Sequence, residues 1–252
     1  MKFLRLLLLL GSLGVCTNIQ AADTAVPPEQ AIKDWAEVLD RYVDTRGYVD
    51  FKALNKDPAA LVRYVDWVAV VDPAKHPAWF PDKHSLIAHH INAYNALAMR
   101  HVLTNKLPKE LTALRRLSFF RLSKVGVGGT QMSLESYEND IIRKMAEPRI
   151  HVALNCMSES CPRLPRVPFD GATLDAQLDH EAKKFFAETR NVRIDAAKRT
   201  VYLTEIMKFF PEDFLAAAPS LIAYANRYRS APIRSDYTIR YTPYDWTIIQ
   251  QR

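Results

Sequence analysis

The residues from His84 to Leu103 carry the strongest helical pattern in the chain, and it limits what the remainder can build. Ile87, Ile91, Tyr94, Ala98 and Val102 recur at three- and four-residue spacing, which is one apolar stripe of an α-helix. Asn92 and Asn95 stand three residues apart beside that stripe and project from neighbouring positions. Asparagine is a mediocre helix former, because its side chain competes for backbone hydrogen bonds. Two of them in an otherwise apolar helix predict polar work, either bonds to loop backbone that fix packing or a place in a site.

Helical patterns also precede this one. Ile32, Trp35, Val38, Leu39 and Tyr42 form one face, and Leu61, Tyr64, Val65 and Val68 another; Pro73, Pro77 and Pro81 mark the loop before His84. Phe120, Leu122, Val125 and Val127 before Gly128-Gly129 predict a strand or hairpin. Ser133 is the expected cap of a helix carrying Leu134, Tyr137, Ile141 and Ile142. Arg149 to Asn155 alternates as a short buried strand, with Ile150, Val152 and Leu154 on one face and His151, Ala153 and Asn155 on the other. Another helix is expected over 174–189. Val192–Ile194 and Val201–Leu203 flank a polar turn and predict a hairpin, short helices follow, and Tyr237–Ile249 reads as a final strand pair or extended tail. Helices first, then strands mixed with helices, is the signature of an α+β fold rather than of βαβ repetition. The expected architecture sets the Asn92–Asn95 helix on a small, mostly antiparallel sheet. By analogy alone, that is the general layout of papain-like folds.

The first residues bear on the compartment. Lys2 and Arg5, the apolar run Leu6–Val15 and the small pair Ala21-Ala22 have the order of a secretory signal peptide, expected over residues 1–22 and followed by one domain over 23–252. The apolar run is about half of the ~20 residues that span a bilayer. A periplasmic or secreted protein with no membrane span after processing is therefore expected. Removing Lys2 and Arg5 from 34 basic and 28 acidic residues leaves a formal charge of +4. The basic residues read as spread along the chain and locally balanced by acids, which points away from nucleic acid as a partner.

Chemistry concentrates in His151-Val-Ala-Leu-Asn155-Cys156-Met-Ser158-Glu-Ser160-Cys161-Pro. Several readings of its two cysteines stay open. Export favours a disulfide, closing a short loop worth about 2 kcal/mol. A nucleophilic Cys156 would need an imidazole. His151 is the nearest in sequence, but five strand residues span about 16 Å and the two side chains would face opposite ways on a regular strand, so a working pair needs a sharp bend after Asn155 or a different base such as His89 or His90. The four-residue spacing is loose for zinc, so no metal site is expected; plain packing of small thiols is the last reading. No G-x-S-x-G, phosphate-binding loop, Rossmann glycine pattern or H-E-x-x-H occurs, and no cofactor is implied.

His90-Ile-Asn92-Ala-Tyr94-Asn95-Ala-Leu, Ser133-Leu through Glu138 and Arg143, and Arg149 through Cys156 with Ser160-Cys161-Pro162 together resemble the domain of unknown function 547 family, in its bacterial exported branch. Weaker agreement comes from 35–51, Asp213-Phe214 and Tyr244-Asp245-Trp246. His90 departs from the family's tryptophan, and Asn139 from a frequent histidine, so a metal or acid–base role resting on that histidine does not carry over. The resemblance implies that intracellular plant relatives keep the match of Cys156 and lose that of Cys161, favouring a separate role for Cys156. It implies fold and localisation but no reaction.

Two functions are therefore expected in competition. One is a thiol-dependent hydrolase or acyltransferase of the cell envelope, with Cys156 as nucleophile, His151 or a helix histidine as base and Asn92 or Asn155 as orienter or oxyanion donor, acting on a small molecule or envelope component. The other is a non-catalytic binding or scaffold module clipped by a Cys156–Cys161 disulfide. In both, Tyr94, Asn95, Glu138, Arg143, Asn155, Ser158, Ser160 and Cys161 form the surrounding polar network.

Overall fold

In the computed structural model, residues 25–251 are described; the export segment expected over 1–22 lies outside them. Helix α1 (Pro28–Tyr42) buries Ala31, Trp35, Val38, Leu39 and Tyr42, as its spacing predicts, and packs on α3 (Ala59–Val70) after the short α2 (Phe51–Lys56). The Trp35 and Tyr64 rings stack at 5.8 Å across that contact. Helix α4 (Lys83–Thr104) opens on a reciprocal cap. Ser85 N–H donates to Asp82 at 2.7 Å while Asp82 N–H donates to the Ser85 hydroxyl, satisfying two of the donors that a helix start leaves open.

From Ile87 to Leu103 every α4 side chain except Arg100 is buried. A helix buried on all sides needs partners all round it. α3, α6 (Leu134–Ser136), the π-helix Tyr137–Ile142 and α7 (Leu174–Ala187) supply them. The expected seat of α4 on a sheet is thus corrected: helices enclose it.

α5 (Ala113–Leu117) runs into a π-helical turn, Ser118–Leu122, where an early strand was expected. The hairpin forms just beyond, β1 (Val125–Val127) against β2 (Thr130–Met132). Its turn places Gly128 at φ +57° and Gly129 at φ +81°, both in the left-handed region that favours glycine. Ser133 caps α6 through Ser136 N–H, as expected.

The strand expected over Arg149–Asn155 is instead a 3₁₀ turn, Pro148–Val152. Pro148 suits the first position of such a turn, and the Glu147 carboxylate accepts Arg149 N–H at 3.0 Å. Ile150, His151 and Val152 are all buried, in different surroundings, so the alternation reflected burial on every side rather than a pleat.

The expected second hairpin is present as β3 (Val192–Asp195) antiparallel to β4 (Thr200–Thr204). β5 (Thr238–Thr242) joins β4 in parallel, with Leu203 beside Tyr241. A parallel return needs a long crossover, and α8 (Ile206–Phe209), α9 (Pro211–Leu215) and α10 (Leu221–Asn226) provide it. Among the described residues the fold is α+β, with two small sheets and one parallel strand pairing among antiparallel ones.

Apolar side chains form two clusters, one around α1–α4 and one around β3, β4 and α8–α10. α7 joins them, giving Leu174 and Leu178 to the first and Ala182, Phe185 and Phe186 to the second. After β5 the chain returns to the first cluster: Ile249 N–H donates to Met157 O at 3.0 Å and Gln251 N–H to Val49 O at 2.9 Å. No helix among the described residues is long and apolar enough to cross a membrane.

Candidate functional site

Asn95 of α4 holds the cysteine loop from behind. Its amide nitrogen donates to Ala153 O at 3.0 Å and its oxygen accepts Asn155 N–H at 2.7 Å. Asn155 then closes the loop on itself. Its oxygen accepts Met157 N–H at 2.6 Å and its nitrogen donates to Pro162 O at 2.7 Å. Met157 takes φ +69° to make the turn, an uncommon conformation for a residue with a side chain. These bonds bring the two ends of the loop together and set the Cys156 and Cys161 sulfurs 2.8 Å apart.

Both cysteines are thiols, where a disulfide would bring the sulfurs to about 2 Å; the bonded clip expected from export is not what this structure holds. Cys161 Sγ is the better-supplied acceptor. Around it lie Cys156 N–H at 3.1 Å, the Tyr244 hydroxyl at 3.1 Å, the Ser158 hydroxyl at 3.3 Å and the Cys156 thiol. Burial opposes ionisation, but bonds from Cys156, Ser158 and Tyr244 outweigh it and lower the Cys161 thiol to about 6. Cys156 moves the other way, first because its hydrogen bond to Cys161 keeps its proton and then because it is buried. The two sulfurs titrate as a pair, with Cys161 the more acidic member.

Ser160 explains how Tyr244, far along the chain, reaches the sulfurs. Its hydroxyl accepts Asp245 N–H at 2.8 Å and its own N–H donates to Asp245 O at 3.2 Å. Those bonds pin the closing segment across the loop.

A second cluster reaches the same cavity through Tyr94, Glu138 and His151. The Tyr94 hydroxyl donates to Glu138 at 3.0 Å, and burial raises the Glu138 carboxyl above its ordinary value. His151 Nε2 lies 2.7 Å from Asp213, and its ring stacks on Phe210 at 4.3 Å. Arg143 grips the same Asp213 carboxylate through two nitrogens, at 2.7 and 3.0 Å. Against the opposing effect of burial, hydrogen bonds from His151 and Arg143 hold Asp213 well below the usual carboxylate range.

The cavity between these clusters holds about 430 Å³. Both sulfur-bearing residues, Tyr94, Glu138, His151 and Tyr244 line it, and Leu117, Phe120, Phe209, Phe210 and Trp246 make much of its wall. An apolar pocket with a few convergent polar groups is the usual form of a small-molecule site.

Residues 81–186 match the family model described as "Protein of unknown function, DUF547". The chain carries a DUF547 domain. Neither the curated proteins nor the solved structures yielded a match to the chain. The DUF547 segment holds α4, the cysteine loop, Glu138, Arg143 and His151, whereas Asp213, Phe210, Tyr244 and Trp246 come from beyond its matched end. The cavity is therefore completed by the C-terminal third of the chain.

The expected residues divide into three groups. Cys156, Cys161, His151, Tyr94 and Glu138 meet at the cavity; Asn95, Asn155, Ser158, Ser160 and Arg143 support those that do. Asn92, expected as an orienter, is occupied elsewhere. Its oxygen accepts Phe169 N–H and Trp35 Nε1–H, and its nitrogen donates to Phe169 O. Among the described residues neither sulfur hydrogen-bonds to a histidine, although His151 lines the same cavity. His90 instead pairs with Tyr137 at 2.7 Å, and His89 packs against Trp67 and Phe80. Asp213 and Tyr244 lay within the weaker stretches of resemblance, but no local spacing connects them to the cysteines. Among the described residues no three His, Cys, Asp or Glu side chains form a metal-holding group.

Proposed function

We propose that the cavity is the active site of an exported thiol enzyme, a hydrolase or acyltransferase that takes a small acyl-bearing component of the cell envelope, with Cys161 rather than Cys156 as its nucleophile. The observation that carries this reading is the ring of donors around the Cys161 sulfur at the wall of an apolar cavity. A thiolate held by donors needs no adjacent base to attack. Its sulfur adds to the acyl carbon, and the leaving group departs with the proton held on Cys156. A thioester on Cys161 results. Water or an acceptor hydroxyl then attacks the thioester, its proton returns to Cys156, and the Cys161 thiolate is released. Glu138, biased by burial toward its acid form, is suited to donate a hydrogen bond to oxygen charge developing in the cavity.

Iodoacetamide alkylation followed residue by residue across pH tests this. Cys161 should label first, with a rate that rises through a midpoint near pH 6, and Cys161→Ala should lose turnover of activated acyl esters. A midpoint in the ordinary thiol range, or labelling of Cys156 alone, overturns the assignment.

The 2.8 Å separation of the sulfurs favours one second reading, a disulfide-clipped binding or scaffold module in a periplasmic or extracellular setting. Closure would remove two electrons and two protons from the thiols, while a small disulfide such as oxidised glutathione is reduced to two thiols. A protein that binds ligand equally well with the pair oxidised, and turns nothing over when it is reduced, would favour the module.

A further inference from the structure

The stretch between α4 and β1 breaks the otherwise even distribution of charge. Residues 105–124 contain Lys106, Lys109, Arg115, Arg116, Arg121 and Lys124 against one acid, Glu110. Arg121 is ion-paired with Glu135, and Arg116 lies over the Trp246 ring at 4.7 Å. Lys106, Lys109, Arg115 and Lys124 have no ion pair among the described residues. On the same stretch Leu114 is 80% exposed, Leu117 43% and Leu122 64%, although the turn is anchored by Phe119, which is fully buried. Large aliphatic side chains held outward on an anchored turn, interleaved with basic ones, are the pattern of an interfacial segment.

We propose that residues 106–124 form a docking face for an anionic phospholipid surface. The basic side chains meet lipid phosphates and the leucines enter the acyl boundary beneath them. A second copy of the chain fits poorly, because self-association would set one strongly basic stretch against another. Arg116, Leu117, Phe120 and Arg121 also line the cavity, so docking turns the cavity wall toward the lipid and suits it to acyl groups held at a membrane surface. The docking face is a separate claim from the thiol chemistry and stands or falls without it.

Vesicle flotation of the exported protein, as recovered from the producing cells, is the test. Binding should occur to vesicles containing phosphatidylglycerol, weaken with added salt, and be lost with phosphatidylcholine alone. Leu114→Gln with Leu122→Gln, and separately Arg115→Gln with Lys124→Gln, should each weaken binding at least about tenfold. All four positions are at the surface, and circular dichroism of each variant checks that it folds. Absence of flotation, equal binding to neutral vesicles, or unchanged binding by both variants overturns the proposal. So does a dimer, seen by light scattering, that the leucine variant dissolves without any vesicle binding. Alkylation of Cys161 without vesicles reports on the thiol reading alone.

Discussion

Cys161 owes its acidity to neighbours that can be removed one atom at a time. Tyr244→Phe deletes a hydroxyl 3.1 Å from the sulfur, and Cys156→Ala deletes the thiol 2.8 Å from it. Each should move the alkylation midpoint of Cys161 upward from about 6 toward the ordinary ~8.5 of a cysteine. Asn95→Ala acts one layer further back. It leaves Ala153 O and Asn155 N–H buried without partners, which should cost about 2–4 kcal/mol in urea unfolding. The same change should loosen the cysteine loop, so the alkylation midpoint should rise with the loss of stability. If stability falls and the midpoint stays, Asn95 serves packing alone.

At the scale of elements, α9 supports the cavity wall from behind through one residue. Asp213 takes bonds from His151 on the 3₁₀ turn and Arg143 at the end of the π-helical stretch, tying three elements together. Because its folded pKa is depressed, the stability it contributes is present above the unfolded value of about 3.9 and is lost as pH falls below that value through the folded one. Urea midpoints should therefore fall steeply below about pH 4, and Asp213→Asn should flatten that acid limb while lowering the neutral plateau. Glu138 has the opposite sign. Its folded pKa is raised by burial, so its contribution is present below about 4.3 and is lost as pH rises through the folded value. Glu138→Gln should accordingly raise the urea midpoint at pH 7; a lower midpoint would mean that the carboxylate is stabilised in place.

For the whole molecule the question is whether two apolar clusters behave as one. α7 contributes to both, and the closing segment runs from β5 back to Met157 and Val49. Truncating Phe186, fully buried in the second cluster, should cost about 3–5 kcal/mol. Tryptophan fluorescence reports the first cluster through Trp35 and Trp67, whereas far-UV circular dichroism draws on the helices and strands of both. Both should unfold in one coincident transition, in the wild type and in Phe186→Ala. Separated transitions would show that the Tyr244 segment can leave the thiols while α4 stays folded.

Much of this was legible in the chain itself. The period of α1, α3 and α4, the Ser133 cap, the Gly128-Gly129 turn and the β3–β4 hairpin follow from local spacing and from backbone preferences that act over a few residues. The resemblance, which joins the Asn92–Asn95 helix and the cysteine loop in one family pattern, also pointed to their contact, and Asn95 makes it. Three features were decided only by tertiary structure. Arg149–Val152 became a 3₁₀ turn because burial on every side erased the alternation that reads as a strand. α4 was enclosed by helices because four of them, rather than a sheet, cover its faces. Cys161 displaced Cys156 as the acidic thiol because Asn155 folds the loop and Ser160 draws Tyr244 onto it. The chain determines which residues are able to act; which sulfur holds the charge depends on donors that only the folded molecule brings together.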